Sequence, residues 1–146
     1  MIVNDRADIA RLSGAAGVHI GQNDLPLDDV RSIVAANTII GVSTHDCAQI
    51  DEALQGPASY VAVGPVFETT TKDTGYGARG LDLVIYAAGR GKPIVAIGGI
   101  TLENATSVVQ AGASAIAVIS DLLVGADVES RTRAFVRALP ARPLKV

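Results

Sequence analysis

"QGPASYVAVG", residues 55–64, reads as a glycine ending a helix, a short turn and then a buried strand. The same phrase returns as "SGAAGVHIG" (13–21) and "AGASAIAVIS" (111–120). Glycine suits the left-handed residue that closes a helix, which accounts for Gly14, Gly56 and Gly112 at equivalent places. A unit of helix, tight turn and apolar strand, repeated along a chain, predicts parallel strands joined by helices.

Working outward, the apolar β-branched runs are 17–21, 38–43, 59–64, 93–99 and 115–120, with "MIV" at 1–3 as part of another. Helix-period segments separate them: "RADIARLSGA", "PLDDVRSIVAAN", "HDCAQIDEALQG", "GLDLVIYAAGR", "TLENATSVVQAG" and "VESRTRAFVRALP". Each carries apolar residues three and four apart, as at Val30, Ile33 and Val34. The chain is 49% hydrophobic but 3% aromatic and has no Trp, so its core is aliphatic. That bias, with 15 glycines, suits parallel strands buried on both faces under Ala-rich helices. No G-x-G-x-x-G follows the first strand, which argues against a dinucleotide fold. The fold class is therefore α/β, a (β/α)8 TIM barrel, with residues 1–146 as one domain.

About six of the eight βα units are present, so two strand edges would lack neighbours. Either partner chains, such as further copies of this one, cover those edges, or the N-terminal strands belong to a longer protein. The first strand begins in its middle, which favours the second reading and predicts exposed apolar edges.

Composition excludes several classes of function. A formal charge of −3 with no basic, aromatic-interleaved patch gives no footprint for nucleic acid. Cys47 is the one cysteine, so there is neither an internal disulfide nor a thiolate metal cluster. The N-terminus has no signal-peptide apolar stretch, and no run approaches the roughly 18 apolar residues of a membrane helix. A cytoplasmic setting is expected.

In a βα barrel the chemistry sits at the C-terminal ends of the strands. Those positions here read Asn4 and Asp5; Gly21 to Asp24; Ser43, Thr44 and His45; the loop "GPVFETTTKDTGYG" (64–77); Gly98 and Gly99; and Ser120 and Asp121. Asp5 and Asp24 end successive strands, where they can share a divalent cation or cap the helices that follow. Gly98 and Gly99 can cradle a phosphate with backbone N–H groups or merely make a tight turn. Thr69, Thr70, Thr71 and Lys72 supply hydroxyls and an ammonium to a long loop, the equipment for holding an oxyanion and for ordering over a ligand. His19 reads as a packed strand residue with one satisfied nitrogen, Cys47 as a small helix residue, and His45 as a capping or hydrogen-bonding group beside Ser43.

Taken in order, "NDR", "GVHIGQND", "GVSTH", "YVAVGPVFETTTK", "PIVAIGGIT" and "AGASAIAVIS" resemble thiamine-phosphate synthase, a (β/α)8-barrel transferase family, over residues 2 to 139. The resemblance implies coupling of a pyrimidine-methyl diphosphate to a thiazole phosphate carboxylate, giving thiamine phosphate and pyrophosphate. It implies Mg2+ held by Asp5 and Asp24, and Asn4, Ser43 and Lys72 on the pyrimidine diphosphate, Ser43 and Lys72 acting in catalysis. It implies Thr69, Thr70, Thr71, Gly99, Ile119 and Ser120 around the thiazole phosphate. The small-molecule substrates are the implied partners. Relatives carry a further N-terminal section with a Gln/Arg/Lys cluster, and often a proline where Glu68 stands here. "FET" is similar to the related thiazole tautomerases, an alternative in which His45 would be the acid–base. A non-catalytic phosphate-binding or regulatory remnant is the third reading.

Overall fold

The computed structural model describes residues 1–71, 75–125 and 127–139. Among these, the strands are β1 (Ile2–Asn4), β2 (Gly17–Ile20), β3 (Ile39–Thr44), β4 (Tyr60–Val63), β5 (Ile94–Ile97) and β6 (Ala115–Ala117). The helices are α1 (Ala7–Ser13), α2 (Leu27–Ile33), α3 (Cys47–Gln55), α4 (Gly80–Ala87), α5 (Ala105–Gln110) and α6 (Val128–Ala138). A 3-10 turn, Ser120–Leu123, leads into α6. Every strand pairs in parallel with the next in chain order. Unbroken order marks the wall of a barrel, since a doubly wound sheet reverses direction partway. The six strands form a curled half-barrel, and β1 and β6 each pair with one strand among the described residues.

The two faces of the sheet differ. Val18, Ile20, Ile40, Val42, Val61, Val63, Ile94 and Ala96 are all at most 6% exposed. They pack on Ala10, Val30, Ile50, Val84, Ala87 and Val108 from the helices. Alternate residues point the other way, and there His19, Ser43, Val95 and Ile97 are only half-buried. Burial is complete on the helix-covered side and mixed on the other, where Ala62 is 1% exposed beside these half-buried residues. Met1 and Ile2, at the β1 edge, are exposed apolar residues, as an open edge implies.

The helix ends follow local chemistry with one exception. Gly14 (φ 64°) and Gly112 (φ 109°) adopt the left-handed conformation expected of them. Gly56 does not: its φ is −79° and ψ −175°. A Cβ there would stand 2.9 Å from Leu27 Cδ2, a crowding that a small shift of that side chain's end relieves. The Lys92 ammonium donates to the carbonyls of Ala53 and Gly56, so a lysine satisfies the end of α3. Burial lowers the pKa of that ammonium, the sign expected for a desolvated cation.

Candidate active site at the strand ends

At the β1 edge, Asn4 is exposed and Asp5 half-buried. Asp5 has φ 64°, the one left-handed non-glycine among the described residues, and its N–H donates to the His19 carbonyl at 2.8 Å. Asp tolerates this conformation better than most residues, and such strain concentrates at functional sites. Asp24 closes a turn on β2's end, its Oδ2 accepting from the Gly21 N–H at 2.7 Å. Neither carboxylate caps a helix: the residues before α1 and α2 are Arg6 and Pro26, without a side-chain cap bond. The capping alternative is thereby excluded, Asp5 lying one residue too early and Asp24 turning back onto its own loop. Among the described residues no group of three or more His, Cys, Asp or Glu gathers. Two carboxylates on adjacent strand ends still fit a cation that keeps waters or phosphate oxygens in its remaining positions, as Mg2+ does. Asp24 retains acceptor capacity beyond its one N–H bond.

The inner face of the sheet brings together residues that sequence reasoning kept apart. Asn4, His19, Gly41 and Tyr60 stand side by side in register across β1 to β4. A Cβ on Gly41 would overlap the Tyr60 ring, so the ring occupies the space this glycine leaves. Tyr60 stacks near the His19 ring with centroids 5.7 Å apart and 21° between planes. His19 Nδ1 lies 2.9 Å from Tyr60 Oη, and its Nε2 lies 2.8 Å from Ser43 Oγ. Both ring nitrogens are engaged, not one. Gln22 Nε2 donates to the Ser43 carbonyl at 2.7 Å, fixing the end of β3. Tyr60 went unnoticed as a site residue because it opens an apolar run; its register with Gly41 was the available signal.

On the other flank, Glu68, Thr69, Thr70, Thr71, Gly99, Thr101 and Ser120 line one cleft of ≈ 300 Å3. Five of the six residues expected around a phosphate are thus gathered; Ile119 is 62% exposed and outside the lining. Glu68 and Thr101 are the additions. Lys72 lies outside the described residues. The loop is anchored at both ends, Val66 and Phe67 donating to the Ile97 and Gly98 carbonyls and Arg79 and Gly80 to those of Pro65 and Val66. Glu68 adds a cross-tie, its Oε1 accepting from the Ala78 N–H at 3.3 Å. Gly98 (φ 88°) and Gly99 (φ 64°) are demanded by conformation and by space alike. A Cβ on Gly99 would sit 2.5 Å from the Glu68 carbonyl oxygen.

Asp121, 8% exposed, pins this flank. Its Oδ2 accepts from the Leu102 N–H at 2.9 Å, and both its oxygens accept from Arg131 of α6 at 2.8 Å. The junction after β6 is thereby fastened to the junction after β5, which sets Ser120 beside Gly99 and Thr101. Asn104 completes the turn, accepting from the Thr101 N–H and donating to the Gly99 carbonyl. A larger hollow of ≈ 380 Å3 lies at the opposite end of the strands, between Ala10, Gly14, Ala35 and Ile39, away from all these groups.

His45 is 5% exposed and stacks on Tyr76 at 4.2 Å between centroids. Its Nδ1 lies 2.6 Å from the Gly64 carbonyl, which can only accept, so Nδ1 carries the proton. It is a hydrogen-bonding group that ties α3 to the start of the threonine loop, and Asp46 is the cap of α3.

Comparison with known proteins agrees with this arrangement. The profile of the thiamine monophosphate synthase family matches residues 1–122. A thiamine-phosphate synthase from Caldicellulosiruptor saccharolyticus is 40% identical over 134 residues, covering 91% of this chain and 61% of that protein. One from Koribacter versatilis is 43% identical over 140 residues, covering 95% and 65%. The solved structure of a thiamine phosphate pyrophosphorylase from Pyrococcus furiosus superposes with a TM-score of 0.85 at 34% identity, over 94% of this chain and 65% of that one. The chain thus spans less than two thirds of the length of these relatives. With the family profile matched over residues 1–122 and relatives 40% and 43% identical, the chain belongs to the thiamine monophosphate synthase family.

Proposed function

We propose that this chain carries the site of a thiamine-phosphate synthase. In that reaction the thiazole nitrogen attacks the methylene of a pyrimidine-methyl diphosphate, and the methylene–oxygen bond breaks to release pyrophosphate. The thiazole carboxylate departs as CO2, and the ring carbon it leaves takes a proton from solvent to give thiamine phosphate. The observation that carries the reading is the single cleft formed by Thr69 to Thr71, Gly99, Thr101 and Ser120 from three separate βα junctions. The threonine and serine hydroxyls lining it suit a phosphate monoester, while the Glu68 carboxylate, also in the lining, is tied to the Ala78 N–H.

The roles follow from the family resemblance. It gives Thr69, Thr70, Thr71, Gly99, Ile119 and Ser120 to the thiazole phosphate, the first three with Gly99 and Ser120 sharing the cleft. It gives Asn4, Ser43 and Lys72 to the pyrimidine diphosphate, Lys72 lying outside the described residues. Asp5 and Asp24 would hold Mg2+, whose charge stabilises the departing diphosphate. Holding two small substrates in line and stabilising the leaving group's charge suffices for a dissociative displacement, with no protein nucleophile required. Transferase activity, a place in thiamine biosynthesis and a cytoplasmic setting belong to the same proposal. No helix among the described residues is long and apolar enough to cross a membrane.

The tautomerase reading loses ground on one observation: His45, its candidate acid–base, is buried and bonded to Gly64. The test is formation of thiamine phosphate from both substrates and Mg2+, by this chain and by a version extended upstream. Thiazole tautomerisation without thiamine phosphate in either case would overturn the synthase reading.

A further inference from the structure

The Tyr60–His19–Ser43 line assigns protons as well as positions. Tyr60 Oη has one hydrogen to give, and burial raises its pKa, so the phenol keeps that hydrogen. Between a phenol and an imidazole, the phenol is the better donor and the bare ring nitrogen the better acceptor. At 2.9 Å the hydrogen bond therefore runs from Tyr60 to His19 Nδ1. Nδ1 then holds no proton, and the neutral ring carries its hydrogen on Nε2. That N–H donates across 2.8 Å to Ser43 Oγ. Ser43 Oγ is thus supplied with a donor, and its own hydroxyl hydrogen is left to point elsewhere. Its backbone is meanwhile fixed by Gln22. The line crosses β3 only because Gly41 carries no side chain.

We propose that Tyr60 and His19 are positioning residues that hold Ser43 as a hydrogen-bond donor toward the oxygens of the diphosphate substrate. The inference rests on the synthase reading of Ser43. It adds two residues that touch no reacting atom and act through a third. A histidine that merely filled the barrel interior would not need a fixed tautomer.

Ring-15N spectra of the chain test the first half, because it has two histidines and Tyr60→Phe marks His19 by perturbing it. The expected spectrum shows His19 protonated on Nε2 in the wild type and in Ser43→Ala, and a mixture of tautomers in Tyr60→Phe. A wild-type His19 protonated on Nδ1 overturns the proposal. The second half is a double-mutant cycle on the affinity for pyrophosphate in the presence of Mg2+, with melting curves confirming that each variant folds. Tyr60→Phe should weaken binding about fivefold, the net worth of one hydrogen bond. Ser43→Ala should weaken it at least as much, and the double variant no further. Additive losses, or a Tyr60→Phe variant that binds like wild type while Ser43→Ala does not, overturn the positioning role and leave Ser43 in the site. If Ser43→Ala is indistinguishable from wild type, the site reading itself falls and the proposal with it. An Nε2-protonated His19 in that case locates the failure in Ser43's role and not in the Tyr60–His19 pair.

Discussion

The two flanks of the strand-end surface are built differently. The threonine flank, between β4 and β6, is closed by its own chain: Asp121 ties two junctions together, Asn104 braces the turn, and Glu68 ties the loop across to Ala78. The carboxylate flank stands at an open edge. Asp5 follows β1, which has a strand on one side only among the described residues; its left-handed conformation is held by its own N–H on the His19 carbonyl and by the Arg6 N–H on the Asn4 carbonyl, which closes a turn around it. The difference teaches that the proposed phosphate-holding groups are braced by this chain's own cross-loop hydrogen bonds, while the proposed metal carboxylates stand where β1 pairs on one side among the described residues.

The comparison breaks or sharpens under four tests, from the largest effect to the smallest. Ile94, on interior strand β5 and 1% exposed, should cost about 2–5 kcal/mol as Ile94→Ala in denaturant unfolding. Ile2, on the open edge and 44% exposed, should cost under about 0.5 kcal/mol as Ile2→Ala. Equal losses would mean that the edge is covered.

Asp24→Ala should weaken Mg2+-supported pyrophosphate binding on the order of a hundredfold by calorimetry, with little change in melting temperature. An unchanged affinity would remove Asp24 from the metal site. Next in size, Asp121→Asn should lower the melting temperature and weaken inorganic phosphate binding by about fivefold, while Mg2+–pyrophosphate binding holds. Equal losses on both flanks would show them to be one unit.

The smallest effect is alkaline. Burial raises the Tyr60 pKa above 10.0 in the folded chain. A raised pKa gives stability that is complete below the unfolded value and is lost as pH rises through the folded one. Unfolding free energy should therefore fall above pH 10, and Tyr60→Phe should flatten that limb. A limb unchanged in Tyr60→Phe would place the titration elsewhere.

Much of this was legible in the chain. The helix–glycine–strand phrase at 13–21, 55–64 and 111–120 identified β2, β4 and β6, because apolar period and turn chemistry are local properties. The polar strand ends named Asp5, Asp24, Ser43, the three threonines, Gly99 and Ser120 for the same reason. Roles that depend on register were not legible. His19 was read as half-satisfied because its partners, Ser43 and Tyr60, lie 24 and 41 residues away. Gly56 departs from the left-handed expectation because α3 ends in an extended residue whose neighbouring carbonyls are taken by Lys92, 36 residues away in the chain. Glu68 had no sequence rationale until Ala78 was found across the loop.

The sequence by itself determined the parallel βα repeat and which residues stand at the strand ends, since both follow from short-range periodicity and backbone preference. Only the tertiary structure decided which of those residues share a cleft, that the carboxylates cap no helix, and that a tyrosine reaches over a glycine to a histidine. Those are matters of register and hydrogen-bond direction between strands, which depend on distances in space that no local pattern encodes.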